Sequence, residues 1–355
     1  YEIDSCLVGS EMCIRDRNKG VSLALVGASG VVGSKIIKLL EKRTFPIAQF
    51  IPIGDSTVGS LVQLNNKEYK VESLENFHPE KKQLIIFSAG SSIAEKYARE
   101  FVDAGSFVID LSSNFRYEDD VPLIIPEING DILKGLSKPS LIANPNCSTA
   151  QLLMALKPIH DKAQIKFLNI ATYQAVSGTG KAALEELHNQ TYFKDSENQS
   201  QIYPKQIAFN VIPQCYVFLD NNFTKEEMKL TWETHKILDS SIRIQATCVR
   251  VPVNNGHSEA VFFRVSKYMS REEIITILED SPGIKVLDNP KEGLYPTPVE
   301  NANDTEDVYV GRIRSEIFHN ECWISMWIVA DNVYGKGAAL NAVQICEELV
   351  SNNLM

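Results

Sequence analysis

The chain has no excess of basic residues, no cysteine pair spaced for a metal, and no apolar run long enough to cross a bilayer. Lysine and arginine number 35 against 45 aspartates and glutamates, a net charge of −10, so a nucleic-acid backbone would meet net repulsion instead of a basic footprint. Nucleic acid is therefore excluded as an expected partner. No stretch approaches the roughly 18–20 consecutive apolar residues of a transmembrane helix, so no membrane partner is expected either. The seven cysteines include no C-x-x-C pair and no Cys/His cluster at ligand spacing, which leaves neither a zinc site nor a disulfide framework. A reducing compartment, the cytoplasm, suits such thiols, and most of them are expected to be small buried hydrophobes. Internal repeats and a Pro/Gly-rich linker are also missing, so any domain boundary must be read from a change of pattern.

What remains has the proportions of a globular protein, 44% hydrophobic and 23% charged over 355 residues, enough for two domains. The opening YEIDSCLVGSEMCIRDR has neither the basic start nor the continuous apolar segment of a signal peptide and shows no helical or strand period. Residues 1–17 are expected to be a non-native or flexible leader outside the fold.

From Val21 the pattern becomes regular. VSLALV is a nearly continuous apolar run, as in a strand buried on both faces; a glycine turn and helical spacing at Val32, Ile36, Leu39 and Leu40 follow. Further strand-like runs at 49–53, 83–89 and 106–111, interleaved with a helical stretch ending at Gly105, predict a parallel α/β sheet. After about residue 146 longer strands dominate (IKFLNIATYQAV, IRIQATCVRVPV, HSEAVFFRV, CWISMWIVA) and predict a mixed or antiparallel sheet. Thr224 to Glu227 match a capping box opening a helix. A last helix carries an apolar stripe at Ala339, Val343, Ile345, Cys346 and Leu349. The expected division is residues 18–145, 146–331 and a C-terminal helix within 332–355.

Five places carry chemistry. Gly27-Ala28-Ser29-Gly30-Val31-Val32-Gly33 sits between a buried strand and a helix, where glycines permit close backbone approach and the helix start favours a pyrophosphate. At the end of the second strand, Ser56 and Thr57 can donate to a ribose 2′-phosphate while Asp55 would repel one, so a nicotinamide-type cofactor is expected with its phosphate state open. Cys147, in Asn144-Pro145-Asn146-Cys147-Ser148-Thr149, precedes a helix-forming run; that position is expected to lower the thiol pKa and to offer N–H groups to an oxyanion. His257 lies in a polar Gly-containing turn and is expected to be accessible. Arg250 and Gln174 are polar residues in otherwise apolar strands, and an arginine there calls for a carboxylate or phosphate to face.

Taken together in order, VGASGVVGS, SSNFRYE, NPNCST, YQAVSGTGK, EEMK…ETHKIL, CVRVPVNNGHS and DNVYGKGAALNAVQI make the chain from about Val21 onward resemble aspartate-β-semialdehyde dehydrogenases of the bacterial type. The resemblance implies a Rossmann-type nucleotide-binding domain, an α+β catalytic and dimerisation domain with a mixed sheet, and a C-terminal helix returning to the first domain. It implies NADPH-dependent, reversible reduction of L-4-aspartyl phosphate to L-aspartate 4-semialdehyde, with release of phosphate, in lysine/diaminopimelate, threonine, methionine and isoleucine biosynthesis. By the same resemblance Cys147 is the thioester-forming nucleophile, His257 the general acid/base, and Gln174 the residue orienting the thioester. Arg250 would grip the substrate α-carboxylate and Glu226 face its α-ammonium, while Arg116, Lys229 and Asn146 would form the phosphate site. Gly27, Ser29, Gly30, Val31 and Val32 would hold the NADP pyrophosphate, Ser56 and Thr57 its 2′-phosphate, and Ser177, Gly178 and Asn332 would lie near the nicotinamide. No metal is implied; a homodimer or homotetramer is. Asp55 departs from the pattern, because relatives commonly place an Arg in this turn. The nearest rival is an N-acetyl-γ-glutamyl-phosphate reductase, whose acylated substrate would not need Glu226; a non-catalytic nucleotide-sensing protein is the other class of answer.

Overall fold

The computed structural model of the chain describes residues 20–193 and 202–355; the leader expected over residues 1–17, with Cys6 and Cys13, lies outside them. The first half runs β1 (Val21–Val26), α1 (Val31–Lys42), β2 (Ile47–Gly54), the hairpin of β3 (Leu61–Leu64) and β4 (Lys67–Lys70), then β5 (Glu72–Ser73) and β6 (Leu84–Phe87). It continues through α2 (Ser91–Asp103), β7 (Phe107–Asp110), the short helices α3 (Pro126–Asn129) and α4 (Asp131–Lys134), and β8 (Leu141–Ala143). Six strands form one parallel sheet in the order β5-β2-β1-β6-β7-β8. Its central strands are apolar along their whole length because both faces are covered: every residue of β6 and β7 is buried. The strand order reverses beside β1, and there the carboxyl ends of neighbouring strands part to leave a crevice.

The second half begins with α5 (Cys147–Ala163) and β9 (Ile165–Gln174), followed by α6 (Lys181–Tyr192), α7 (Lys225–Ile237), β10 (Arg243–Arg250) and β11 (His257–Val265). Next come α8 (Arg271–Glu279), β12 (Ile284–Val286), α9 (Pro298–Asn301), β13 (Val308–Phe318), β14 (Glu321–Ala330) and α10 (Ala339–Ser351). The six-stranded sheet here, ordered β10-β9-β11-β14-β13-β12, is mixed: β9/β10 and β12/β13 are parallel and the remaining pairs antiparallel. Alternation decides its faces. In β9, Leu168, Ile170, Thr172 and Gln174 are buried, while Asn169 and Tyr173 are exposed. The outer face is aromatic, with Phe262 stacked on Trp323 at 4.7 Å and Tyr173 against Trp327 at 5.3 Å.

Helix α7 starts at the capping box read from the sequence: Thr224 Oγ1 accepts from the Glu227 N–H at 3.3 Å, and the Glu227 carboxylate accepts from the Thr224 N–H at 2.6 Å. Cys215, Cys248, Cys322 and Cys346 are buried, as expected.

Helix α10 packs on α1, joining Leu340, Val343, Cys346 and Leu349 to Ile36, Leu39 and Leu40 in one core. A buried ionic knot precedes it. Lys336, 1% exposed, donates to Glu127 at 2.5 Å and to the Gln344 side-chain oxygen at 2.6 Å, while Gln344 donates to Glu127 at 2.8 Å. Removing one partner of such a pair strands the other charge in a low dielectric, so Lys336→Met should cost about 3–5 kcal/mol of stability. Urea unfolding of Lys336→Met and of Lys336→Met with Glu127→Gln measures this, and the second change should recover part of the loss.

Candidate active site

The glycine turn after β1 fits a dinucleotide on its own geometry. Gly27 has φ +84°, in the region L side chains avoid. A Cβ on Gly33 would lie 2.1 Å from the Gly27 carbonyl oxygen, so only glycine lets the first turn of α1 settle onto the loop. The helix has no side-chain cap at Gly30, which leaves the N–H groups of Val31 and Val32 for an anion. Ser29 Oγ and Thr57 Oγ1 are 2.7 Å apart, tying the end of β2 to this turn. Ser56 and Asp55 are exposed beside them. Gly27, Ser29, Gly30, Val31, Val32, Ser56 and Thr57 thus form one cradle.

Cys147 is the first residue of α5, and Asn146 is its cap: Asn146 Oδ1 accepts from the N–H groups of Ser148 (3.0 Å) and Thr149 (3.4 Å). The sulfur is half-buried. The expected lowering of its pKa is not found. Burial pushes the thiol up to about 12 and the Glu226 carboxylate adds to the rise, outweighing Lys229, Arg250 and Arg116. A helix end contributes only about half a charge, whereas Glu226 contributes a whole one, so the resting group is a thiol.

Around the sulfur is a buried network of carboxylates. Glu226 accepts from Asn146 Nδ2 (2.9 Å), Gln174 Nε2 (3.3 Å) and Lys229 Nζ (2.8 Å). Burial opposes its ionisation, but Lys229, these hydrogen bonds and Arg250 hold the carboxyl down to about 2. Lys229 is raised in turn: burial works against its charge and Glu226 outweighs it. Its Nζ also sits 3.8 Å from the centre of the Tyr216 ring. Glu233, fully buried, accepts from Arg116 Nη1 (3.0 Å) and from the backbone N–H of Asn146 (2.6 Å). Arg116 and Lys229, expected as free phosphate-binding cations, are thus each already paired with a carboxylate. Both oxygens of Glu226, expected to face a substrate ammonium, are also occupied.

His257 is fully buried at the start of β11, not on an accessible turn as its sequence neighbours imply, because Gly178 and the 331–337 segment pack over it and its neighbours. A Cβ on Gly178 would lie 3.2 Å from His257 Nε2 and 3.4 Å from Arg250 Nη1; one on Gly337 would lie 2.8 Å from Cys147 Cβ. Burial and the Arg250 charge lower the imidazole pKa to about 3, so the ring is neutral. His257 Nδ1 accepts from the Ala175 N–H at 3.0 Å, which assigns the proton to Nε2, and Nε2 has no partner. His257 thus keeps a buried N–H donor without an acceptor, next to Gly178. Arg250 Nη1 donates to the Ala175 carbonyl at 2.6 Å; among the described residues no carboxylate pairs with Arg250, and its Nε is unpartnered. Asn332 Oδ1 bridges the Ser177 hydroxyl (3.2 Å) and the Gly256 N–H (2.9 Å), placing Ser177, Gly178 and Asn332 together beside His257.

Sequence reasoning missed Glu233, Ser148 (whose Oγ accepts from Gln174 Nε2 at 2.9 Å) and Gly337. Glu233 did leave a signal. Glu226, Lys229 and Glu233 recur at i, i+3 and i+7 on the buried side of α7, where apolar residues are the rule.

Two family models cover most of the chain: semialdehyde dehydrogenase, NAD binding domain, over residues 22–136, and semialdehyde dehydrogenase, dimerisation domain, over residues 156–334. They define the class as a two-domain semialdehyde dehydrogenase with a nicotinamide-type cofactor. The aspartate-semialdehyde dehydrogenase of Legionella pneumophila is 46% identical over 336 residues, 94% of this chain and 96% of its own. That of Aquifex aeolicus is 45% identical over 343 residues, 95% and 100% of the two chains. Among solved structures, aspartate semialdehyde dehydrogenase II of Vibrio cholerae complexed with ASA matches with a TM-score of 0.89 at 41% identity, covering 94% of this chain and 99% of that one. The Candida albicans enzyme with NADP matches at 0.71 and 25% identity, over 94% and 100%. The chain belongs to the aspartate-semialdehyde dehydrogenase family, and it is an oxidoreductase. Among the described residues no helix is long and apolar enough to cross a membrane.

The resting thiol gives a direct prediction. The alkylation rate of Cys147 by iodoacetamide, followed by mass spectrometry, should keep climbing as pH rises from about 7 past about 9, because only the thiolate reacts. Glu226→Gln should move the curve to lower pH, and a plateau near neutrality in the unaltered protein would contradict the charge balance described.

Proposed function

We propose that the chain catalyses the reversible, NADPH-dependent reduction of L-4-aspartyl phosphate to L-aspartate 4-semialdehyde through a thioester on Cys147. The observation that carries this reading is the neutral His257, with its free Nε2–H, against Gly178 together with an Arg250 that has no carboxylate partner among the described residues, while Arg250 and Glu226 act on both the His257 ring and the Cys147 thiol. The Cys147 sulfur attacks the acyl carbon, the carbon–oxygen bond to phosphate breaks, and the thiol proton leaves on the phosphate as hydrogen phosphate. Arg116 and Lys229 offset the departing charge, with Asn146 beside them. Because each is already paired, they act as a balanced array, leaving net attraction to Arg250, which takes the substrate α-carboxylate. Gly27, Ser29, Gly30, Val31, Val32, Ser56 and Thr57 would hold the dinucleotide, with Ser177, Gly178 and Asn332 toward its reactive end, and the nicotinamide would supply the hydride that reduces the thioester. His257 Nε2–H donates to the oxygen that then gains charge, in its neutral form, so its acid role is hydrogen-bond donation. Collapse breaks the carbon–sulfur bond, yielding the aldehyde and the Cys147 thiolate, which takes a proton from solvent. Gln174 holds the thioester in place, and Glu226 meets the substrate ammonium by sharing its Lys229 and Asn146 contacts.

The nucleotide half is taken as residues 18–145, the catalytic and dimerisation half as 146–331, and the closing helix as part of 332–355. The exposed aromatic face of the second sheet fits a homodimer, or a homotetramer built from it. The pathways served are those to lysine and diaminopimelate, threonine, methionine and isoleucine, in the cytoplasm.

Phosphate-dependent reduction of NADP with aspartate semialdehyde tests the reading. Turnover is expected with this aldehyde and not with N-acetylglutamate semialdehyde, and Cys147→Ala should abolish it; substantial activity in Cys147→Ala would sink the assignment. The cofactor is a separate question. The exposed Ser56 and the Thr57–Ser29 contact favour a 2′-phosphate, so kcat/KM should be higher with NADP than with NAD despite Asp55; a clear NAD advantage refutes that choice.

A further inference from the structure

One layer below the reacting groups lies a second polar layer to which no role has been given. Glu259 follows His257 by two residues on β11, so both side chains point to the same face. Across the sheet Glu259 pairs with Thr172 of β9, two residues before Gln174. From α5, Gln151 stands one helical turn after Cys147. Cys147, Gln174 and His257 therefore rest on Gln151, Thr172 and Glu259. The two layers are joined where Gln151 Nε2 donates to the His257 carbonyl at 3.4 Å; within the upper layer Gln174 Nε2 donates to Ser148 Oγ, next to Cys147 on α5, at 2.9 Å.

Glu259 is 0% exposed. Its two oxygens, with Gln151 Oε1 and Thr172 Oγ1, have no hydrogen-bond partner meeting full geometry. The groups facing it are Gln151 from α5, Thr172 from β9 and Ile328 from β14, and none carries a charge. An isolated buried carboxylate costs far more than a carboxylic acid. Burial raises its pKa well above 4.5, opposed only by the Gln151 amide.

We propose that the Glu259 carboxylic acid is a positioning residue for Cys147 and His257: with Gln151 and Thr172 it forms an uncharged polar floor that holds α5 at a fixed spacing from β9 and β11. An uncharged floor also matters electrostatically. A carboxylate about 7 Å below the pocket, two strand residues away, would disfavour both the thiolate and the oxyanion; the acid disfavours neither. The inference deepens the proposed reaction and rests on it for the turnover readout only.

The test uses Glu259→Gln, which keeps the shape and an uncharged polar head, and Glu259→Leu, which removes the polar head. Glu259→Gln should leave the pH titration of Cys147 alkylation unmoved and kcat within about twofold, whereas Glu259→Leu should lower kcat roughly ten- to hundredfold, the scale of sub-ångström to ångström misplacement. KM for semialdehyde and NADP should not change in either. Retained kcat in folded Glu259→Leu, a kcat loss in Glu259→Gln equal to that in Glu259→Leu, or a downward shift of the thiol titration in Glu259→Gln each overturns the proposal. Should Glu259→Leu not fold, infrared spectroscopy decides: the unaltered protein should show a carboxylic-acid C=O band, shifted in D₂O, that Glu259→Gln lacks, and absence of the band from the unaltered protein overturns the neutral form. If the unaltered protein fails to turn over, the reaction assignment fails, and the alkylation and infrared readouts still decide the state of Glu259.

Discussion

The structure around Cys147 depends on one constraint: three cations and two carboxylates are buried close together, and among the described residues only Arg116 and Lys229 have a carboxylate within hydrogen-bonding reach. Buried ions are tolerable only when their partners are in place, and Glu226 and Glu233 supply the partners. Glu226 ties Lys229, Gln174 and Asn146 to one point, and Glu233 ties Arg116 to the backbone of the same Asn146. The cap of α5 is thereby fixed from two sides, and with it the direction in which the sulfur points. Arg250, the cation left over, faces whatever anion enters.

Burial, before any charge, explains why the thiol and the imidazole are both neutral at rest. A helix N-terminus next to a cysteine suggests a thiolate, yet burial, with the Glu226 carboxylate adding to it, reverses that preference, and burial together with Arg250 keeps the His257 ring uncharged. On the proposed reaction, the pocket stores no charge on its reacting atoms and places donors and cations where charge would develop. His257, with one ring nitrogen engaged by Ala175 and the other free, is such a donor.

Much of this was legible beforehand, for identifiable reasons. Parallel strands buried on both faces give continuous apolar runs, so β1, β6 and β7 could be read directly, and so could the glycine turn, whose spacing is dictated by backbone contact. The Thr224 capping box was visible because it is local in sequence. The thiol pKa was not, since it turns on burial and, after that, on Glu226, which lies about eighty positions away; both reach Cys147 only through the fold. Nor was the burial of His257: a polar turn reads as surface unless one knows that Gly178 and the 331–337 segment close over its neighbourhood. Strand β13 went unread because a bulge between Gly311 and Arg314, with Arg312 at φ +55°, moves its buried positions from Val308 and Val310 to Ile313, so no single alternation runs along it.

Glu226, Lys229 and Glu233 sit on one face of a single helix, and this has a consequence for how the sequence can drift. Replacing any one of them leaves an odd charge in a sealed space, so single substitutions along α7 descend into a valley of instability or altered reactivity before a compensating change restores balance. Viable variants at these three positions are therefore expected to arise in concert rather than one at a time.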